Sequence, residues 1–179
     1  PGLRSQWFSE LTGADIHLKL ENLQVTGSFK PRGAYIKLSG LSEKEKKSGV
    51  VAASAGNHAQ GVALAARGFG IPCTIVMPTA ASIPKVEATR GYGATIVLHG
   101  RDYDEAEQHA RQVMRERDLT FIHAFDDAEV MAGQGTIGLE LLREMEDVDI
   151  VVVPVGGGGL AGGIALAMKE TRPGVTIVG

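Results

Sequence analysis

The run Asp149-Ile150-Val151-Val152-Val153-Pro154-Val155-Gly156-Gly157-Gly158-Gly159-Leu160-Ala161-Gly162-Gly163 passes directly from β-branched residues to four glycines to small helix formers. Residues 149–155 are apolar almost throughout, which predicts a strand covered on both faces, as in a parallel sheet. The glycines predict a sharp turn, and 159–171 a helix folding back on that strand. A strand handed to a helix in this way is half of a βαβ unit. Backbone N–H groups at a helix start, cleared of side chains, form a site for phosphate or carboxylate. Four glycines in a row exceed what a turn needs, so anion binding is the stronger reading. Gly157, Gly159 and Gly162 also fit the GxGxxG dinucleotide pattern. The acidic residue that would confirm it falls about 20 residues on, near or past Gly179.

The same alternation extends upstream. Strands are predicted at 16–20, 50–53, 73–77, 95–98, 120–123 and 175–178. Helices are predicted at 30–39, 57–68, 82–91, 102–117 and 127–145. Tyr103, Ala106, Ala110 and Val113 recur at helical spacing, as do Ile137, Leu141 and Met145. Strands alternating with helices of this length predict an α/β protein with parallel sheet. Glu43 to Lys47 reads as a solvated surface turn or short helix.

Composition narrows the partners. A net charge of −3 gives no reason to expect nucleic acid or an acidic membrane. No apolar run approaches the roughly 18 residues that span a bilayer. The single cysteine excludes an internal disulfide and makes a reducing, cytoplasmic compartment the default. Cys73 lies in an apolar run, and the expectation is a buried core thiol. The 24 glycines cluster at element junctions and inside helices, where backbone must bend or approach something closely. The chain lacks an initiator Met and stops just after a strand-like run, so a piece of a longer protein is expected.

Two further junctions carry chemistry. In Thr26-Gly27-Ser28-Phe29-Lys30-Pro31-Arg32-Gly33-Ala34, Ser28 is placed to cap a helix whose first turn holds Lys30 and Pro31. A lysine at a helix N-terminus has the wrong sign for the dipole and tends to lose its proton, which suits a Schiff-base nucleophile. An ordinary surface lysine is the alternative. In Ser54-Ala55-Gly56-Asn57-His58-Ala59-Gln60-Gly61, Ser54, Asn57 and free N–H groups make a second anion site, sized for a carboxylate. Simple capping by Ser54 and Asn57 competes with that reading. His58 is expected to cap or pack, and so is His123. Ala132 to Gly138 reads as a helix packed closely on a neighbour. No Walker A loop is present. The five histidines show no HExxH or paired Cys/His spacing, so no metal is indicated. A serine hydrolase built on Ser54 lacks the first glycine of GxSxG, since Ala52 stands there.

Together these strings resemble the fold-type-II pyridoxal-phosphate enzymes, and specifically the threonine dehydratase (threonine ammonia-lyase) and serine racemase family. The matching text is Leu18 to Gln24, Gly27 to Ala34, Ser54 to Gly61, Lys85 to Ala94, Phe125-Asp126-Asp127 and Gly156 to Leu160. The resemblance implies two parallel-sheet α/β domains of the tryptophan-synthase-β-like kind. A small domain, 40–125, would be inserted in a large one made of 1–39 and 126–179 and incomplete here. The group facing the pyridine nitrogen would lie beyond Gly179. Lys30 would carry pyridoxal 5′-phosphate and remove the α-proton, Phe29 would pack on the ring, and Asn57 would bond its 3-hydroxyl. The N–H groups of Gly156, Gly157, Gly158, Gly159 and Leu160 would hold the phosphate. Ser54, Ala55, Gly56, Asn57 and His58 would bind the substrate carboxylate. The implied reaction converts L-threonine or L-serine to 2-oxobutanoate or pyruvate and ammonia, in a protein expected to be a homo-oligomer at full length. A role in isoleucine biosynthesis and a catabolic one both stay open. Racemases of this family carry a second serine where Ala55 stands, and Pro31 replaces the Asp of cysteine and threonine synthases. Both features favour a dehydratase. Serine racemase or hydroxyaspartate ammonia-lyase is the near alternative, and a Rossmann-type oxidoreductase or binding module the distant one.

Overall fold

The centre of the fold follows from the parity of its β-branched runs. In the computed structural model, which describes residues 2–179, β3 (Val50–Ala53), β4 (Cys73–Met77), β5 (Thr95–Leu98) and β6 (Thr120–Phe121) form one parallel sheet in the order β5-β4-β3-β6. Every residue of β3 and β4 is buried. Val50, Ala52, Ile75 and Met77 face α2 (Lys30–Ser39) and α4 (Asn57–Phe69), packing with Leu38, Ala59 and Val62. The alternate residues, Val51, Ala53 and Val76, face Ala106, Ala110 and Val113 of α6 (Tyr103–Arg117). Each such Val or Ile contributes about 1.5–3 kcal/mol on full burial, so both faces of this sheet are strongly specified.

Strand order fixes where a ligand can sit. From β3 the chain moves outward to β4 and β5, then returns through α6 to place β6 on the opposite side of β3. The order reverses between β3 and β6, and in open α/β sheets the crevice beyond the carboxyl ends at such a point receives the ligand. The Ser54 loop leaves β3 there, and residues 122–127 leave β6 there.

The remaining elements flank this body. β1 (Gly2–Arg4) and β2 (His17–Lys19) pair antiparallel around α1 (Gln6–Thr12), and a 3₁₀ turn, Glu21–Leu23, precedes α2. The Glu43 segment forms α3 (Glu43–Ser48), and α5 (Ile83–Gly91) joins β4 to β5. After α7 (Ala128–Glu144), β7 (Ile150–Val152) pairs in parallel with β8 (Thr176–Val178) across α8 (Gly159–Thr171). The glycines of α7 let backbones meet. A Cβ on Gly135 would stand 2.8 Å from Gly163 O, and one on Gly138 3.0 Å from Ile164 O. Their role is packing, as expected. Cys73 is buried as expected, and burial pushes its thiol up to about 12. Among the described residues no helix is long and apolar enough to cross a membrane.

The expectation for 149–155 needs correction. β7 is three residues long, and Ile150 and Val152 are 58% and 76% exposed. Among the described residues its strand partner is β8, and α7 and α8 cover one face, through Val151, Val153 and Ile177. Pro154 has no N–H to continue the ladder, which contributes to the early stop.

Candidate active site

Lys30 opens α2, with Phe29 as N-cap and Pro31 in the first turn. The expected Ser28 cap is not made. Phe29 has helical dihedrals and its carbonyl accepts the Arg32 N–H at 3.1 Å, so the helix begins after Ser28. The Ser28 hydroxyl is instead buried without a hydrogen-bond partner, as is that of Thr26. Lys30 is half-buried, and its Nζ donates to Ala124 O at 2.7 Å. It stands 5.3 Å from the centroid of the Phe29 ring. Burial pushes its pKa below the ordinary lysine value. This is not a surface lysine. Two residues on, the Arg32 guanidinium joins Glu21 to Glu140, at 2.7 and 2.6 Å, which fixes the start of α2 between the 3₁₀ turn and α7.

The Ser54 loop lies against this lysine. A Cβ on Gly61 would stand 2.9 Å from the Lys30 carbonyl carbon, so α4 packs directly on Lys30 backbone. The N-cap of α4 is Gly56, and no side chain caps the helix. Ser54 Oγ accepts the Gly56 N–H at 3.1 Å, which leaves its own proton free to donate. The first N–H bonded into the helix is that of Gln60, to Gly56 O, so those of Asn57, His58 and Ala59 have no helical acceptor. Capping therefore does not account for Ser54 or Asn57, whose side chain is exposed. Ala55 packs at the edge of the core. His58 turns inward, with Nε2 3.0 Å from Ile122 O. Burial pushes its pKa down to about 4, which keeps the ring neutral and makes Nε2–H the donor.

Three of the four loop glycines have a reason within the chain. Gly158 has φ +85°, in the left-handed region. A Cβ on Gly157 would overlap the Phe125 ring, and one on Gly159 would stand 2.7 Å from Phe125 O. Gly156 has neither constraint, since nothing lies within 4 Å of the Cβ it lacks. Its bareness keeps open space beside the loop. Gly158 is the N-cap of α8 and no side chain caps it. The first helical bond comes from the Gly162 N–H to Gly158 O at 2.8 Å, so those of Gly159, Leu160 and Ala161 are free of helical acceptors. The Leu160 side chain packs against the core cluster of Ile137, Val153, Ile164 and Met168, as does Phe29.

All three motifs touch one short segment, 122–126, at the carboxyl end of β6. His58 bonds the carbonyl of Ile122, Lys30 bonds that of Ala124, and Phe125 rests on Gly157 and Gly159. Sequence reading missed the two carbonyls and the part played by Gly61. A backbone acceptor has no residue-type signature. Gly61 stood inside a quoted motif, and glycine on the buried side of a helix signals a close approach.

A family model described as pyridoxal-phosphate dependent enzyme matches residues 1–179. The chain belongs to this family. It is 56% identical, over 98% of its length, to the L-threonine ammonia-lyase of Thermotoga maritima. It superposes with TM-score 0.96 and 44% identity on the processed form of threonine deaminase isoform 2 from Solanum lycopersicum, covering 99% of this chain. Maize serine racemase superposes with TM-score 0.96 at 37% identity, again over 99% of this chain. The chain spans about half the length of these relatives: 44%, 52% and 54% respectively. The family's cofactor is a phosphate-bearing aldehyde, and the residues present fit one. They supply an amine whose pKa burial lowers, an uncapped glycine loop open at Gly156, and buried unpartnered hydroxyls on Thr26 and Ser28 close in the chain to that amine.

Proposed function

We propose that this chain forms the lysine-bearing part of an enzyme that dehydrates and deaminates L-threonine or L-serine. The products are 2-oxobutanoate or pyruvate and ammonia, with the water lost in elimination regained on hydrolysis. The observation that carries the reading is the meeting of Lys30, the Ser54 loop and the glycine loop on residues 122–126.

When bound, pyridoxal phosphate supplies an electron sink for negative charge at the substrate α-carbon. Lys30 Nζ would hold the cofactor through its aldehyde and would be the base for the α-proton, and burial favours the free amine that both roles need. The free N–H groups around Gly156 to Leu160 would hold the phosphate. Phe29 would pack against the ring and Asn57 would offer its amide to the ring hydroxyl. The free N–H groups and the Ser54 hydroxyl, from Ser54 to His58, take the substrate carboxylate; the His58 side chain itself is committed to Ile122. Ala55 has no hydroxyl to protonate the α-carbon from the face opposite Lys30, which favours elimination over the racemisation suggested by the likeness to maize serine racemase. We further propose that 40–125 is the small domain, with the cofactor between it and the remainder. The buried, lone Cys73 supports a reducing, cytoplasmic setting.

The test is incubation of the full protein with L-threonine and L-serine, with and without pyridoxal phosphate, following 2-oxo acid and ammonia. Cofactor-dependent, equimolar release of both is expected. Release of neither, with cofactor bound, would refute the reaction.

A further inference from the structure

His123 is not used in the reading above, yet its ring organises the segment on which that reading depends. Its Nδ1 accepts two backbone N–H groups, from Asp126 at 2.8 Å and from Phe125 at 3.3 Å. The ring also meets that of Phe125 edge-on, with centroids 4.7 Å apart. An imidazole nitrogen that accepts carries no proton, so the ring must hold its proton on Nε2. The turn that results, Ala124-Phe125-Asp126, sends the Ala124 carbonyl to Lys30 Nζ and the Phe125 ring onto Gly157. Beyond it Asp127 caps α7, accepting the N–H groups of Glu129 and Val130 at 2.9 and 3.1 Å. The path from β6 to α7 is thus held by two side-chain acceptors in series.

We propose that His123 is a positioning residue: its unprotonated Nδ1 shapes the 124–126 turn so that the lysine amine and the phosphate loop keep the spacing one cofactor molecule requires. The inference rests on the proposed function. Its distinctive content is that one acceptor atom, not the bulk of the ring, carries the role. Asparagine can present its amide oxygen near the position of Nδ1, whereas leucine has comparable volume and no acceptor.

The experiment uses the full protein stripped of cofactor and then titrated with pyridoxal phosphate, comparing wild type, His123→Asn and His123→Leu. Binding is read by the cofactor's absorbance, and attachment by the amount fixed on Lys30 with borohydride. His123→Leu should weaken binding about ten-fold or more, the size expected when two backbone donors lose a shared acceptor, and His123→Asn should stay within about three-fold of wild type. Equal impairment of the two variants, with wild type normal, would overturn this inference alone and leave the functional reading standing. Unimpaired His123→Leu would overturn it as well. A wild type that fixes no cofactor on Lys30 would remove both. If His123→Leu fails to fold, the ring's tautomer in wild-type protein decides, by nitrogen NMR with ¹⁵N-labelled histidine. A proton on Nε2 alone, in the cofactor-bound protein, is expected. A proton resident on Nδ1 would refute the proposal.

Discussion

Helices α4 and α8 begin alike and are furnished differently. Each follows a parallel strand, each has a glycine N-cap, and neither is capped by a side chain. Helices α1, α3, α6 and α7, by contrast, are closed by Ser5, Ser42, Asp102 and Asp127. A side-chain cap contributes about 1 kcal/mol, so this stability is forgone at the two helix starts that converge with Lys30 on residues 122–126. Among the described helices, α2, which carries Lys30, and α5 are also uncapped. At α8 the loop is stripped to glycine, which suits a compact phosphate gripped by backbone alone. At α4 the loop keeps Ser54 and Asn57, whose directed groups suit a carboxylate held in one orientation. On the proposed reading, uncapped helix ends near one amine mark the site, and the side chains left on each loop would distinguish what each end receives.

The contrast can be broken first at Gly159. A Cβ there would stand 2.7 Å from Phe125 O and 2.9 Å from Phe125 Cα, backbone that cannot give cheaply. Gly159→Ala should lower stability by about 1–3 kcal/mol in urea unfolding and also lose cofactor. His58 tests the α4 side. Its pKa of about 4 lies below the ordinary 6.5, so unfolding takes up a proton between these values. Its contribution is complete above 6.5 and is lost as the pH falls toward 4, with a slope of up to about 1.4 kcal/mol per pH unit. In His58→Gln that part of the stability–pH curve should flatten, with unfolding measured from pH 7.5 to 4. Gly156→Ala separates binding from folding. Nothing in the chain opposes its Cβ, so stability should hold within about 0.5 kcal/mol. Cofactor affinity should fall about ten-fold, equal to roughly 1.4 kcal/mol, because the methyl group occupies the approach to the loop. A Gly156→Ala protein that binds normally would mean that the loop's open side is not the phosphate's. Ala55→Ser changes which reaction is favoured rather than binding or folding. It supplies a hydroxyl on the loop proposed to take the carboxylate, and general acid–base help is typically worth about 10²–10⁴-fold. Chiral analysis should show more D-serine per 2-oxo acid than wild type gives. An unchanged ratio in a folded, cofactor-binding variant would assign the choice elsewhere.

The long periodic elements were legible in the sequence. The runs 73–77 and 95–98 and the helix over 30–39 have the bounds expected, because β-branched runs and flanking glycines mark their ends. Short elements were not. Helix α1 is seven residues long, and although Ser5 and Gly13 cap it, no apolar period identifies so brief a run. Burial of β7 was overestimated, since Ile150 and Val152 read the same whether one face or two are covered. At the site, the lysine and both loops were legible as residue types. Their convergence was not, because it runs through the carbonyls of Ile122 and Ala124 and through the order β5-β4-β3-β6, which composition does not encode. Ser28 was misjudged for a related reason. Its type suits a cap, but α2 starts one residue too late to use it.

The central claim is that the half-buried amine of Lys30 carries the cofactor. Borohydride reduction of the full protein with pyridoxal phosphate, followed by peptide mapping, tests it most directly. One reduced pyridoxyl group is expected, on the peptide containing Lys30, and none in Lys30→Ala. A stoichiometric adduct on any other lysine, or an undiminished adduct in Lys30→Ala, would contradict it.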